Sequence, residues 1–331
     1  MTTIWWREFW TRRFRLDLLE MKSAQPQCHL CGSTTLVAEF SRYCVCQSCG
    51  LVQANGAPSD SELARYYTES FEVNRNNYMQ SITRRGNREV AWLEHFVSGG
   101  KMLEVGCSWG KFMDVARNRG WKVAGVELSE KSSAWARNEL QLDVFTGKLE
   151  DSPFVGSHAF DLVVSWHVIE HVPDPLSFLL ACRSCLRPGG YLVLKTPNVA
   201  SLVARLNRGA WSWANPVSHL VLFSPKTLGT ALEKSGFQLK QVLTRRGDAH
   251  NPWLEITRGT AIRLGLHGRV KSTLNVEPAG VDKYRGTARG IRLLNQINRG
   301  LDVGLFWLWP VEGFLDRVNM GPELRTVAVA V

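Results

Sequence analysis

"KMLEVGCSWGKFMDVARNRGWKVAGVE", residues 101–127, places a strand, a glycine turn, a helix and a second strand in direct succession. The pattern predicts a short apolar strand at 101–106, an amphipathic helix at 111–120 that ends at a glycine, and another strand at 121–128. Alternation of strands and helices is typical of a mostly parallel sheet with helices on both faces.

The same alternation continues for seventy more residues. Ser129 is a good N-cap for a helix at 129–140. Further strands are predicted at 142–147, 160–166 and 191–198, and a helix starts at Pro175 and is stopped by Pro188, Gly189 and Gly190. We therefore expect an α/β, doubly wound sheet, which binds its ligand at the carboxyl ends of the strands.

The turn after the first strand runs from Glu104 through Gly106 to Gly110. Its glycines allow a tight turn and a close approach to a ligand, and an acid, Glu127, follows about 20 residues later. A nicotinamide enzyme would have G-x-G-x-x-G rather than G-x-x-x-G, and the Glu104 carboxylate is a poor neighbour for pyrophosphate. The pattern indicates a ligand with a ribose and a cationic amino-acid end but no phosphates.

"SWHVIEHVPDP", residues 165–175, has the H-x-x-E-H order of inverted zinc peptidases at His167, Glu170 and His171. In those enzymes both histidines lie on one helix. Pro173 and Pro175 follow at once, and proline disfavours helix at and before its own position. We therefore predict a loop after a strand and not a peptidase helix.

Four cysteines form two C-x-x-C pairs, Cys28/Cys31 and Cys46/Cys49, each followed by glycine. This spacing predicts a zinc ribbon with one structural zinc ion in a closed tetrahedral site. Disulfides are the alternative, but they are rare in the reducing cytosol. Cys44 could replace Cys46 as a ligand only by breaking the C-x-x-C spacing. The other cysteines are expected to fill the core: Cys107, Cys182 and Cys185.

Six motifs in order resemble class I S-adenosylmethionine-dependent methyltransferases: "LEVGCSWGKF", "GVELSE", "GKLEDSPF", "FDLVVSWHVIEHVPDPLSFL", "CLRPGGYLVLKTPN" and "HLVLFSPKTLGTALEKSGF". The likeness is to ubiquinone O-methyltransferases and zinc-ribbon sugar methyltransferases. It implies a Rossmann-like seven-stranded sheet of order 3-2-1-4-5-7-6 with strand 7 antiparallel. Strand 6 would lie at 237–244 and strand 7 at 323–331. The sequence departs from the family at Ser108, where glycine is usual, and we expect the turn to survive.

The resemblance implies a cofactor site made of ten residues: Glu104, Gly106, Ser108, Gly110, Glu127, Leu128, Leu149, Glu150, Trp166 and His167. By the same resemblance Glu104 and the glycine turn hold the methionine end, and Glu127 takes the ribose hydroxyls. Leu149 and Glu150 border the adenine, while His167 lines the cleft beside Trp166.

Methyl transfer to a hydroxyl also needs a base for the acceptor proton. Histidine suits this task because its unperturbed pKa is about 6.5. We predict His171, beside Glu170, as the base, with His219 as the second candidate. Two alternatives stay open: either histidine merely caps a loop, or a histidine and Glu170 bind a divalent ion as in some ubiquinone-type relatives.

The chain has 331 residues, a net charge of +10 and no apolar run of the length that spans a bilayer. Without a recognisable signal peptide it is predicted to be cytoplasmic. The charge favours anionic partners, which include phosphorylated substrates, nucleic acid and the inner face of an acidic membrane.

The predicted organisation is an aromatic and basic segment at 1–24, a zinc ribbon at 25–55 and a methyltransferase domain at 60–331 with an insertion at about 246–322. Within the insertion, the basic and apolar stretch 283–311 is either part of a substrate lid or a peripheral membrane contact.

The leading functional hypothesis is methyl transfer to a hydroxyl or carbon of a small molecule: a sugar, a glycan or a lipid-linked metabolite. A ribosomal-RNA base methyltransferase is the alternative, since ribbon, basic charge and fold also combine there. Nucleic acid is the less favoured partner because the polar-Pro-Pro-aromatic motif of many base N-methyltransferases is absent. The intact cofactor motifs count against a third option, a non-enzymatic binding protein.

Overall fold

The computed structural model describes residues 27–56, 75–245, 255–256, 259 and 309–331. The predicted segment 1–24 and most of the insertion, including all but the last three residues of 283–311, lie outside these ranges.

The described strands and helices are numbered in chain order. The strands are β1 Leu36–Ala38, β2 Tyr43–Cys46, β3 Val52–Ala54, β4 Lys101–Val105, β5 Lys122–Glu127, β6 Asp143–Thr146, β7 Phe160–Trp166, β8 Leu186–Pro197, β9 Val221–Leu222, β10 Phe237–Arg245 and β11 Glu323–Ala330. The helices are α1 Arg75–Leu93, α2 Lys111–Arg117, α3 Glu130–Leu140, α4 Pro175–Cys185, α5 Leu202–Asn207, α6 Pro225–Lys234 and α7 Trp309–Arg317.

The main sheet has the order β10-β11-β8-β7-β4-β5-β6. Counted from β4, this is the predicted order 3-2-1-4-5-7-6, and β11 is antiparallel to both of its neighbours, so the fold prediction is confirmed. Parallel pairing of β4 with β5 and β7 brings the carboxyl ends of these strands to one edge. A ligand site is therefore assembled there from loops that are far apart in sequence.

Both faces of the central strands are buried, as expected of parallel strands covered by helices. Neighbouring residues of β4 show this directly, because Met102 packs in one apolar cluster with Phe112 of α2 and Leu103 in another with Phe178 of α4. Burial of each such side chain contributes roughly 1.5–3 kcal/mol to the free energy of folding. Ser129 caps α3 as predicted, with its hydroxyl accepting from the Ser132 amide.

The end of α4 differs from the prediction. The helix ends at Cys185, and Leu186 already pairs with Phe160 as the first residue of β8. The predicted helix stop at 188–190 lies inside this strand, where the register shifts between the Leu186 and Tyr191 pairings. β8 has four residues between these two pairings and β7 has one, so the extra residues of β8 bulge out of the ladder. Proline and glycine are suited to such a bulge, because neither is favoured in a regular strand.

The cysteine pairs lie in a small sheet of order β1-β2-β3-β9. Its first three strands belong to the predicted ribbon, whereas β9 comes from the segment after β8. Val52 pairs with Leu222 and Gln53 with Val221, so the ribbon is joined to the methyltransferase domain by backbone hydrogen bonds.

Candidate functional site

A cavity of about 810 Å³ opens at the carboxyl edge of the main sheet. Ten of the predicted site residues line it: Glu104, Gly106, Ser108, Glu127, Leu128, Leu149, Glu150, Trp166, His167 and His171. Three others, Gly110, Glu170 and His219, do not line it. The strand ends thus gather most of the predicted residues around one space.

The turn between β4 and α2 forms with serine in place of the family's glycine. Ser108 adopts a φ of 51°, and its amide donates to Glu127 Oε2 at 2.7 Å. Gly106 has a φ of 77°, and a Cβ there would lie 2.4 Å from Cγ2 of Val168. Gly110 serves packing, since a Cβ on it would lie 2.7 Å from Cδ1 of Leu142.

Two buried carboxyl groups form the floor of the cavity next to this turn. Glu127 is 4% exposed and accepts from the Ser108 and Ser129 amides. Glu104 is 1% exposed, and its Oε2 has no hydrogen-bond partner among the described residues. Burial, together with the charge of Glu127, raises the pKa of the Glu104 carboxyl well above its usual range. A buried, unpaired carboxyl facing a cavity suits a cationic ligand group.

His167 lies between two carboxylates. Its Nδ1 is 3.2 Å from Glu170 Oε1, and its Nε2 is 3.0 Å from Glu323 Oε2. Because a carboxylate only accepts, both nitrogens donate and the ring is protonated. Burial lowers the pKa of His167, but the hydrogen bonds and charges of Glu170 and Glu323 outweigh it and raise this pKa to about 9. His167 is therefore unsuited to accept a proton near neutrality.

His171 has the opposite arrangement. Its Nδ1 lies 2.7 Å from the carbonyl oxygen of Ser218, which can only accept. Nδ1 therefore carries the proton, and in the neutral ring Nε2 carries the lone pair. The ring also lines the cavity, and Nε2 has no hydrogen-bond partner among the described residues, so His171 offers an acceptor nitrogen to a ligand.

The His219 ring packs edge-on against the His171 ring but is buried and does not line the cavity. Its ring centroid is 4.8 Å from that of His171, and its Nδ1 donates to the Trp213 carbonyl at 2.6 Å. Burial and the neighbouring His171 lower the pKa of His219 to about 3. At neutral pH it is an uncharged support for the neighbouring ring.

Glu170, His171 and His219 each have one potential ligand atom within 4.8 Å of the other two, a spacing at which the three could bind a divalent ion. Glu170, however, already accepts from His167 at Oε1 and from the Thr196 hydroxyl at Oε2, at 2.9 Å. Burial raises the pKa of Glu170, but the protonated His167 outweighs it, so that the pKa falls to about 2. The geometry therefore favours a hydrogen-bonded network over a metal site.

The cavity residues that the sequence did not point to include five charged or aromatic side chains that take part in the contacts of the site: Arg85, Glu89, Lys195, Trp213 and Glu323. Trp213 is sandwiched between His167 and His219, with centroid distances of 5.0 and 5.5 Å. Glu323 begins the last strand and is 156 residues from its partner His167, so no local pattern could have paired them. Lys195 had one usable signal, a charge inside the apolar run that precedes Thr196 and Pro197.

An ion-pair network closes the cavity on the α1 side. Glu89 of α1 lies 3.1 Å from Lys195 Nζ and 2.8 Å from Arg325 Nη2. The Lys195 ammonium also lies 4.8 Å from the ring centroid of Trp166. These contacts connect α1, whose Arg85 and Glu89 line the cavity, to the end of β8 and to β11.

The four ribbon cysteines lie together away from the cavity. Sγ of Cys28 is 3.5 Å from that of Cys49, Sγ of Cys31 is 3.5 Å from that of Cys46, and all four lie within 4.8 Å of one another. Ligands about 2.3 Å from a tetrahedral zinc ion would be separated by about 3.8 Å. Cys44 is not part of the group, since its thiol points to the Gln53 carbonyl.

None of the described helices is both long enough and apolar enough to cross a lipid bilayer.

Comparisons with known proteins bear on this arrangement. Residues 74–242 match the protein family described as "Methyltransferase domain". The chain is 29% identical over 173 residues to the ubiquinone biosynthesis O-methyltransferase of Xanthomonas axonopodis pv. citri, covering 47% of this chain and 69% of the relative. It is 28% identical over 193 residues to the enzyme of the same name from Azoarcus sp., covering 52% and 79%.

Among solved structures, phosphoethanolamine N-methyltransferase 2 of Haemonchus contortus, in complex with S-adenosyl-L-methionine, superposes with a TM-score of 0.50 and 17% identity. The match covers 84% of this chain and 61% of that one and supports the fold. Since the family match spans more than half of the chain and the predicted fold and motifs agree with it, the chain belongs to the methyltransferase domain family and is an S-adenosylmethionine-dependent methyltransferase.

Proposed function

We propose that the enzyme methylates a hydroxyl group of a small molecule: a sugar, a glycan or a lipid-linked metabolite. The observation that carries this proposal is His171, a cavity-lining ring whose Nδ1 is committed to the Ser218 carbonyl and whose Nε2 is left to accept a proton. A hydroxyl acceptor needs such a group because its proton has to leave during the reaction. The similarity to relatives named O-methyltransferases supports the same acceptor.

The lining residues also suit the cofactor. When bound, S-adenosylmethionine supplies a methyl group already activated on a sulfonium. We assign its amino-acid end to Glu104, whose Oε2 lacks a partner among the described residues, and to the turn that begins at Gly106. Glu127 would accept from the ribose hydroxyls, and Leu149 and Glu150 would border the adenine.

The chain's remaining task is to position the acceptor and receive its proton. His171 is the proposed base, and His219 supports its ring from behind. His167 is not proposed as a base, because both of its nitrogens donate to carboxylates. Glu170 holds His167 and accepts from Thr196, so it organises the loop without facing the acceptor.

The test is a methyl-transfer assay with labelled cofactor, in which hydroxylated small-molecule pools (sugar nucleotides, glycolipids and quinol precursors) are compared with total RNA. We expect label in a small molecule and a loss of roughly 10²–10⁴-fold in kcat for His171→Asn, the usual range for general base catalysis. His219→Asn should reduce kcat less. Label in RNA alone, or full turnover of His171→Asn, would overturn the proposal. A parallel assay with a chelator tests whether turnover depends on a divalent ion.

We also propose that the ribbon holds one structural zinc ion. The support is the clustering of four sulfur atoms on two knuckles, and the Leu30 amide directed at the Cys28 sulfur at 3.4 Å. The sulfur atoms do not line the cavity, so the metal would stabilise the fold and take no part in methyl transfer.

A lipid-linked acceptor would require the enzyme to work at a membrane surface. Supporting this narrower proposal, Val311 and Phe314 of α7 and Val318, one residue after the helix ends, are 40, 60 and 43% exposed. The adjoining basic stretch 283–311 would add attraction to anionic lipid.

A further inference from the structure

The ribbon contacts the segment 219–222, between β8 and α6, at several adjacent positions. Ala54 of β3 donates its amide to the Leu220 carbonyl at 2.8 Å, and the β3–β9 pairing continues this contact through Val221 and Leu222. The segment that follows His219 is therefore an edge strand of the ribbon sheet as well as part of the methyltransferase domain.

One ribbon side chain reaches further towards the histidines. The hydroxyl of Tyr43 on β2 donates to the His219 carbonyl oxygen at 2.7 Å. The ring is 1% exposed and packs with Trp211 and Leu222. Burial raises the pKa of Tyr43, so its hydroxyl remains a donor over the whole working pH range.

The peptide chain held by Tyr43 is the same chain that orients the proposed base. The Ser218 carbonyl, which accepts from His171 Nδ1, is one peptide unit before the carbonyl held by Tyr43. On the other side, the Leu220 amide donates to the Glu170 carbonyl at 2.7 Å. A shift of this short segment would move the Ser218 carbonyl away from Nδ1 of His171. The proton of the neutral ring could then lie on either nitrogen.

We infer that Tyr43 is a positioning residue for methyl transfer: through the His219 peptide it holds the Ser218 carbonyl that keeps the proton on Nδ1 of His171 and leaves Nε2 as the acceptor. The inference rests on the proposed role of His171 as base. It gives the ribbon a function in the reaction although none of residues 27–55 lines the cavity.

The test is Tyr43→Phe in the full-length protein, because phenylalanine keeps the buried ring and removes only the hydroxyl. We expect kcat to fall about tenfold, the equivalent of about 1.4 kcal/mol, which is the scale of one lost buried hydrogen bond. KM for both substrates and the affinity for S-adenosylhomocysteine should stay within about twofold, since the cofactor residues are untouched. The matched control is Tyr191→Phe on β8, which removes the same group outside the cavity and should behave as wild type.

Two further measurements separate positioning from general destabilisation. Imidazole ¹⁵N NMR of the ligand-free protein should show His171 as the single Nδ1–H tautomer in the wild type and as a tautomer mixture in Tyr43→Phe. In the His171→Asn background, Tyr43→Phe should cause no further loss of kcat, because both changes act on one step.

An unchanged kcat with an unchanged tautomer, or an equal loss in the His171→Asn background, would overturn the inference. If His171→Asn keeps full turnover, the proposed base is wrong, while the NMR result still decides separately whether Tyr43 orients that ring.

Discussion

Glu104→Gln should abolish a coupling between cofactor binding and proton release. In the ligand-free protein the Glu104 carboxyl is buried, has an unpaired oxygen among the described residues and lies near the charge of Glu127. Its pKa is therefore raised from the ordinary 4.5, and it keeps a proton at a pH where an exposed carboxyl has lost it. A bound ammonium group would favour the carboxylate, so binding would expel that proton.

The magnitude follows from linkage. If one proton leaves per cofactor bound, the logarithm of the association constant rises by about one for each pH unit between the pKa of Glu104 in the complex and its raised pKa in the free protein. The sign is fixed: affinity falls as the pH drops below the free-protein pKa, because the proton must then be removed. Glu104→Gln should flatten this dependence and weaken binding at high pH by about 1.5–3 kcal/mol, the scale for a hydrogen bond to a charged group.

The assay is calorimetric titration with S-adenosylhomocysteine between about pH 5 and about pH 7, where an α-amino group stays protonated. Two buffers of different ionisation enthalpy report the number of protons released. Glu233→Gln, an exposed residue of α6 away from the cavity, is the matched control and should leave the slope unchanged. A flat wild-type affinity would refute the reasoning, and so would a slope that survives in Glu104→Gln, because the proton would then come from another group such as Glu127.

Four further results are expected. Glu127→Ala should weaken S-adenosylmethionine binding by roughly 1–3 kcal/mol, measured by calorimetry, and tight NADH binding instead would contradict the site assignment. Elemental analysis should find one zinc ion per chain. Cys28→Ser should lower the unfolding midpoint and leave the cofactor affinity of the folded fraction nearly unchanged, because metal binding adds to folding free energy. A metal-free, fully folded protein would contradict this proposal. The raised pKa of His167 contributes stability that is complete below its ordinary value of 6.5 and is lost as the pH rises through about 9, so the destabilisation of His167→Gln in urea should be larger at about pH 6 than at about pH 10. Flotation with anionic liposomes should weaken with salt and be lost on deletion of 283–311, whereas equal binding to neutral vesicles would leave only the lid interpretation.

The order of the main sheet could be predicted because its signals are local. Glycine turns, short apolar strands and a Ser129 cap each depend on a few neighbouring residues, and the motif order then implies the family's topology. The same locality explains why the cysteine spacing indicated a metal cluster and why the strand ends indicated a cleft. The prediction was wrong at 188–190, where a proline and two glycines were interpreted as a helix end but form a bulge within β8.

The sequence by itself determined the fold, the two acids of the cofactor site, Glu104 and Glu127, and the presence of histidines at the carboxyl edge of the sheet. Only the tertiary structure decided what those histidines can do. His167 is held protonated by Glu170 and by Glu323 from the far end of the chain, and the proton of His171 is held on Nδ1 by a carbonyl on a segment that the ribbon secures through Tyr43. A residue's protonation state depends on the groups that surround it in space, and partners more than a hundred residues away leave no trace in the local pattern.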